Sequence, residues 1–438
     1  MFRQISRPRI CVFAVLAAAT AGFAFANANG TTENKYIAHE WGTFTSVQGS
    51  DGVLLDWVAV ATAELPGFVY SWARPGLVRG AVPNFNKTVL MALQRMETPV
   101  VYFYSDEAQK VDVSVRFPKG KITEWYPQAK DIGPSWPRPA ADQSSETLLA
   151  GYGVTPPTNG IKESLIRWNF EILPPRQNST ASLPMEKSGN HYFAARETDA
   201  AILRVNPSES GQLSTEYEKF LFYRGVGNFG TPLKVTMSAS GEITLANTGP
   251  EVLKDLFILG VENGSGNFAH VFNLAPGQQK TLRLDLDKQK MPQLVKKVSS
   301  AMATALTGQG LYPRESGAMV KTWNDSWFQE EGLRVLYVLP RAWTDQTLPI
   351  DLKPAPRDLV RVMVGRAEII TPALENKLAD QLARAKAGDV AALSEVRILL
   401  KKCGRFALPV SNRILAKLDP KREDKVLAAL LAEPVRAN

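Results

Sequence analysis

From Pro99 to about Leu286 apolar side chains recur at every second position, in segments separated by Gly, Pro, Asn and Ser clusters at sandwich-like intervals. The pattern predicts antiparallel β structure. Val111, Val113, Val115 and Phe117 face one way while Asp112, Ser114 and Arg116 face the other, as in a sheet with one wet face. Ile166, Trp168, Phe170 and Ile172 repeat the arrangement against Arg167, Asn169 and Glu171. Residues 127–160, rich in proline and poor in apolar runs, predict a long irregular loop. Gly225-Val226-Gly227-Asn228-Phe229-Gly230 matches a dinucleotide-binding fingerprint by letter, but the strand pattern resumes at Leu233, so no helix N-terminus follows to receive a pyrophosphate. It reads as a glycine-rich turn.

After Met291 the period becomes helical, with Leu294, Val295, Val298, Met302 and Leu306 on one stripe and Gly308 placed to end it. Pro313 suits the first turn of another helix, whereas Leu333 to Leu339 and Val360, Val362 and Val364 return to strand character across a Pro-rich connection from Pro340 to Pro356. From Thr371 four helices are expected, with Thr371-Pro372, Asp389 and Asp419-Pro420 as starts and Gly388 and Gly404 as stops. The expected fold class is mainly β with α: antiparallel β-sandwich regions, a mixed α/β segment and a C-terminal helical bundle. The expected divisions are a signal peptide over 1–26, a β-rich domain over 27–230, a sandwich module over 231–290, a mixed α/β segment over 291–370 and the bundle over 371–438.

The first segment changes the picture most. Arg3, Arg7 and Arg9 precede an uncharged apolar stretch from Ile10 to Phe25, and Ala24 and Ala26 set an Ala-x-Ala cleavage pattern. General secretion to a bacterial periplasm or beyond is the expectation, with a mature chain starting near Asn27. No later segment has the uninterrupted apolar length of a membrane span. Loss of three arginines takes the formal charge from +8 to about +5, too diffuse for a nucleic-acid stripe. Cys11 leaves with the signal, so Cys403 alone remains and packing, not a disulfide, must hold the fold.

Residues 231–287 alternate through Leu233, Val235 and Met237, then Ile243 and Leu245, and close with Pro276-Gly277 before Leu282, Leu284 and Leu286. This resembles the immunoglobulin-like sandwich modules of bacterial surface proteins, a likeness that implies a fold and no activity. The run HEWGTFT at His39 to Thr45, with RMETPVVYFYS at Arg95 to Ser105 and MVKTWNDSWF at Met319 to Phe328, resembles a family of secreted bacterial proteins to which no activity is assigned. That resemblance implies export and transfers no functional residue.

The candidate chemistry lies where acids neighbour tryptophans. Glu40-Trp41, Asp56-Trp57, Glu124-Trp125 and Trp323-x-Asp325-x-Trp327 pair carboxylates with indoles, and a sugar ring stacks on an indole while its hydrolysis needs two facing carboxylates. His39, Glu40, Glu124 and Asp325 are the candidate catalytic residues; Trp41, Trp125, Trp323, Trp327 and Arg341 are the candidate binding residues. Neighbours on a strand point to opposite faces, which argues against mutual activation of His39 and Glu40 and against joint use of Glu124 and Trp125. Asp325 differs, because an Asn324-Asp325-Ser326 turn would display it at the surface. Thr43 stands where a helical zinc-protease motif needs its second histidine, and only His39, His191 and His270 occur, so neither a metal nor a cofactor is expected. Two functions compete: a non-catalytic envelope-associated binding or scaffolding protein, whose partner is a cell-envelope glycan or another envelope protein, and a secreted glycan hydrolase or lyase using paired carboxylates.

Overall fold

The strand Ile37–Gln48 (β1) is buried at every position after the first, although His39, Glu40, Thr43, Thr45, Ser46 and Gln48 are polar. It is the middle strand of an 11-stranded sheet in a computed structural model that describes residues 35–59, 65–71, 91–134, 163–175, 181–186, 190–206, 214–285 and 287–436. The expected signal peptide and residues 135–160 of the expected loop lie outside the described residues.

On one side β1 pairs antiparallel with Gln94–Tyr104 (β2). On the other it pairs in parallel with a distant strand, Asp358–Ile369, through Ile37↔Asp358 to Gln48↔Ile369. Two antiparallel strands, Gln109–Phe117 (β3) and Ser164–Leu173 (β5), form the middle of a second, 6-stranded sheet, with Gly120–Tyr126 (β4) between them in sequence but in the large sheet. The large sheet continues from β2 through Phe220–Gly227 (β6) to β4 and the short strand Tyr70–Ser71. In the other direction it runs from Asp358–Ile369 (β10) to Gly332–Val338 (β9), Leu253–Glu262 (β7), Ser265–Leu274 (β8) and the short strand Gln289–Lys290.

The two faces of this sheet are covered differently. One packs on the second sheet and on a three-stranded sheet of Leu233–Met237, Ile243–Asn247 and Gln279–Leu282, joining Phe44, Trp125 and Tyr337 to Val113, Trp168, Val235 and Leu245. The other receives the helices Met291–Gly308 (α1) and Pro313–Asn324 (α2), whose inner residues Val298, Met302, Leu306 and Met319 meet Trp41, Phe222, Leu336 and Val364. A short helix, Arg341–Thr347 (α3), precedes β10. Pro372–Lys386 (α4), Val390–Lys402 (α5), Ala407–Leu418 (α6) and Lys425–Arg436 (α7) then pack over Val47, Trp57, Val226 and Ile370 at one end of the sheet. The fold is therefore mainly β with α and ends in helices, as the periodicity indicates.

The expected segment boundaries at 230, 290 and 370 fall inside one compact unit, Asn34–Asn438. The sandwich module expected over 231–290 does not close on itself: its two long strands, β7 and β8, join the large sheet, while its three short ones form a separate sheet. Period-two alternation identifies strands and says nothing about which sheet they join. Gly225 and Gly227 likewise lie within β6 and not in a turn, at a shift of register against both neighbours. The caps at Thr371 and Asp389 form as expected, each side chain accepting a backbone N–H. The last helix starts at Lys425, not after Pro420, with Asp424 accepting from the Leu427 N–H at 3.0 Å. No helix among the described residues is long and apolar enough to cross a membrane.

A Cβ at Gly225 would stand 2.2 Å from the Lys121 carbonyl oxygen, a backbone atom with no rotamer to yield. Gly225→Ala is expected to cost about 3 kcal/mol or to prevent folding, as overpacking against fixed atoms does. An unchanged urea midpoint would refute that close approach.

Candidate functional site

Successive residues of β1 send their side chains to opposite faces, and this separates His39 from Glu40. His39 enters the helical side, where its Nδ1 lies 2.7 Å from Glu315 Oε2 on the first turn of α2. The same carboxylate oxygen accepts the Tyr312 N–H at 2.7 Å, so Glu315 caps its helix and orients the imidazole together. The Tyr312 and Tyr104 rings lie 4.5 and 5.3 Å from the His39 ring. Burial, then the charge of Glu315, raises the Tyr104 phenol well above its ordinary value, so it stays protonated.

Glu40 points to the sheet-on-sheet side. Arg361, its neighbour on β10, donates Nε–H to Glu40 Oε2 at 2.5 Å, and the Tyr223 hydroxyl donates to Oε1. Arg361 also donates to Asp345 at 2.7 Å and to the Leu348 carbonyl at 2.7 Å. Burial opposes the arginine's charge, but Glu40 outweighs it and holds Arg361 above the usual arginine range. Arg341 clasps Asp345 at 2.8 Å from the surface, so Glu40 communicates with Arg341 only through two intervening side chains.

Further along the helical face the sheet carries a band of charge that the acid and tryptophan motifs did not signal. Arg224 on β6 grips Glu124 on β4 with two hydrogen bonds, at 2.7 and 2.9 Å. Arg95 Nε stands 3.7 Å from Glu97 on β2, and Glu97 accepts from Thr45 of β1 at 2.5 Å. Arg366 on β10 donates to Glu368 at 2.8 Å and to Glu330 at 2.6 Å, while Arg334 on β9 donates to Glu368 at 3.1 Å. Arg405, between α5 and α6, reaches Glu97 at 3.0 Å. Six adjacent strands thus contribute to one buried seam, which separates the apolar patch under α1 and α2 from the patch under the C-terminal helices. Beside Glu97, Thr98 has φ +41°, opposite a register shift between Trp41 and Thr43. Such a bulge redirects the strand and its flanking side chains.

The structure does not assemble the remaining candidates into a cleft. Trp41, Trp125 and Trp327 are fully buried, and none offers a face to solvent. Trp323 is half-buried and stacks on Trp327 at 6.3 Å and 17°. Asp325 is exposed, as expected, but it lies on a π-helical turn, Asp325–Gln329, that continues α2 instead of a loop, and it accepts a hydrogen bond from Gln329 at 2.7 Å. Glu124 and Trp125 take opposite faces, the first in the seam and the second in the sandwich. His191 is exposed on a turn of 3-10 helix, and His270 lies between Phe257 and Phe272 with Asp255 at 3.2 Å. No group of three His, Cys, Asp or Glu among the described residues is placed to hold a metal.

Two outcomes follow from these pairs. Glu40→Gln leaves the buried Arg361 with only the half-exposed Asp345 as counter-charge and is expected to cost about 3 kcal/mol in chemical denaturation. Glu40→Gln with Arg361→Met should cost less than the sum, and an additive pair would show that the two do not interact. In the seam, burial pushes the Glu97 carboxyl up, but Arg405 and Arg95 outweigh it and hold it at about 2. A depressed value means stability that is complete above the ordinary 4.5 and lost as pH falls from there towards about 2. The stability difference between the wild type and Glu97→Gln should shrink across that window; a constant difference would contradict the pairing.

No family model matches the chain, and no curated protein matches it. Among solved structures, the yeast delta-COP-I mu-homology domain complexed with a Dsl1 WxWxV peptide aligns at 7% identity and a TM-score of 0.25, covering 77% of this chain and 96% of that one. The same domain without the peptide aligns at 7% identity and a TM-score of 0.21, with the same coverage. Scores so low carry no inference about fold or function.

Proposed function

We propose that the chain is an exported bacterial protein that acts in the periplasm or outside the cell as a non-catalytic, envelope-associated binding or scaffolding protein. One observation carries the reading: of the acids and indoles that would serve glycan hydrolysis, Glu40, Glu124, Trp41, Trp125 and Trp327 are used internally, which leaves Asp325 exposed without a second carboxylate of the candidate set beside it. Glu40 and Glu124 are each neutralised by a buried arginine. Both a general acid and a nucleophile need access to the sugar, and a carboxylate locked in a buried arginine pair has none. Trp41, Trp125 and Trp327 fill cores, so they supply no stacking platform. The address rests on the N-terminal sequence, with its basic start, apolar run and Ala-x-Ala pattern. The partners that suit this reading are a cell-envelope glycan or another envelope protein.

The full chain expressed in a bacterium should be recovered from the periplasm or medium with an N-terminus near Asn27, and an uncleaved cytoplasmic product would end the export reading. The mature protein incubated with peptidoglycan and insoluble polysaccharides should co-sediment without releasing reducing ends. Release that disappears in a folded Asp325→Asn or Glu40→Gln variant would establish the hydrolase instead.

A further inference from the structure

The seam of charge contains more donors than its acids can accept. Its five arginines, 95, 224, 334, 366 and 405, face four glutamates, 97, 124, 330 and 368, one positive charge in excess among the described residues. Arg95 Nε and Nη1, Arg366 Nη1, and Arg405 Nε and Nη2 are buried and make no hydrogen bond, and so is the Trp57 Nε1 donor. A buried donor without an acceptor costs about 1–3 kcal/mol, and more when it is charged. Five such nitrogens on three guanidiniums are therefore unlike ordinary packing noise.

The three guanidiniums converge. Arg95 and Arg405 both approach Glu97, at 3.7 and 3.0 Å. Arg366 and Arg405 share Glu330, at 2.6 and 3.9 Å, and both lie over the Phe406 ring, at 5.3 and 5.0 Å. Arg405 also covers Trp57 at 5.8 Å. The deficit is thus local, and every unsatisfied group named is a donor. Burial accordingly pushes Arg95 down to about 10, its single close glutamate notwithstanding. One side of the seam reaches solvent, where the Glu330 side chain is 39% exposed and that of Arg405 is 12% exposed.

We propose that this seam, between the α1–α2 pair and the C-terminal helices, binds a small oxyanion of the phosphate or sulfate class on Arg95, Arg366 and Arg405. Planar guanidiniums match the oxygens of such an ion in pairs, and one bound anion supplies both the missing acceptors and the missing negative charge. Occupancy ties the C-terminal helices, through Arg405, to strands β2 and β10.

The test is thermal unfolding of the mature protein titrated with inorganic phosphate, and separately with sulfate, at constant ionic strength set by chloride. The expected result is a Tm rise of a few degrees that follows a one-site saturation curve for at least one of the two ions. Arg405→Gln, at the partly exposed rim, should raise the half-saturating concentration at least tenfold. Glu330→Gln removes a competing acid at the mouth and should lower it, a change in the opposite direction that loss of packing does not produce. A linear, unsaturating rise in Tm is the general exclusion effect of these salts and would overturn the proposal. Saturation that is the same in the wild type and in both variants would place the ion elsewhere and overturn it equally. If Arg405→Gln does not fold, the Glu330→Gln shift alone decides.

Discussion

The fold depends on placing a polar strand where neither face meets water. β1 is buried almost throughout, and five of its six polar side chains, all but Thr43, find a partner inside the protein, because an unpaired buried polar group costs more than most single contacts return. The neighbouring elements are arranged around that demand. Glu315 at the start of α2 meets His39; Arg361 on β10 meets Glu40; Glu97 on β2 meets Thr45; and Gln48 bonds both the Leu233 carbonyl and the Val235 N–H of the small sheet. One strand thereby sets the position of a helix, two sheet neighbours and a third sheet.

This explains the arginines. Parallel pairing of β1 with β10 places Arg361 directly beside Glu40 and Arg366 beside Thr45, so the one acid of the N-terminal motif is answered by a base over three hundred residues away. Arginine suits the task better than lysine, since a fork of donors satisfies several acceptors at once, as Arg361 does with Glu40, Asp345 and the Leu348 carbonyl. Buried pairs of this kind add little net stability over apolar packing, yet breaking one is expensive. Their effect is to fix register: slipping β10 by one residue against β1 would turn Arg361 to the opposite face and leave Glu40 without its counter-charge.

Local structure was legible in the sequence and long-range partnership was not. Alternation at Val111 to Phe117 and at Ile166 to Ile172 identified strands with one wet face, the helical stripe from Met291 ended where Gly308 stands, and Thr371 and Asp389 cap as their chemistry requires. Opposed side chains at His39 and Glu40, and at Glu124 and Trp125, also followed from strand geometry alone. Nothing local tied His39 to Glu315, 276 residues on, or gathered arginines from β2, β6, β9, β10 and the turn before α6 into one seam. The acid and tryptophan motifs misled for the same reason. Adjacency along a strand separates side chains, so Glu40-Trp41 marks two different cores and not one site.

The position of the seam follows from what each helical unit can bury. The helices α1 and α2 cover the apolar part of one sheet face, and the C-terminal helices cover the apolar part at its end; between the two coverings lies the band of buried charge, whose outer edge reaches solvent at Glu330 and Arg405. Charged residues fill that band because their stems pack while their heads bond one another. The same choice makes the junction sensitive to charge in a way that an apolar seam is not, since Arg405 is the only arginine of the band contributed by the C-terminal helical region. Whatever adjusts the balance around Glu97 therefore acts on the attachment of the helices as well as on the sheet. In a protein whose sheet interior is otherwise fixed by paired charges, this is where a ligand has the most leverage for the least rearrangement.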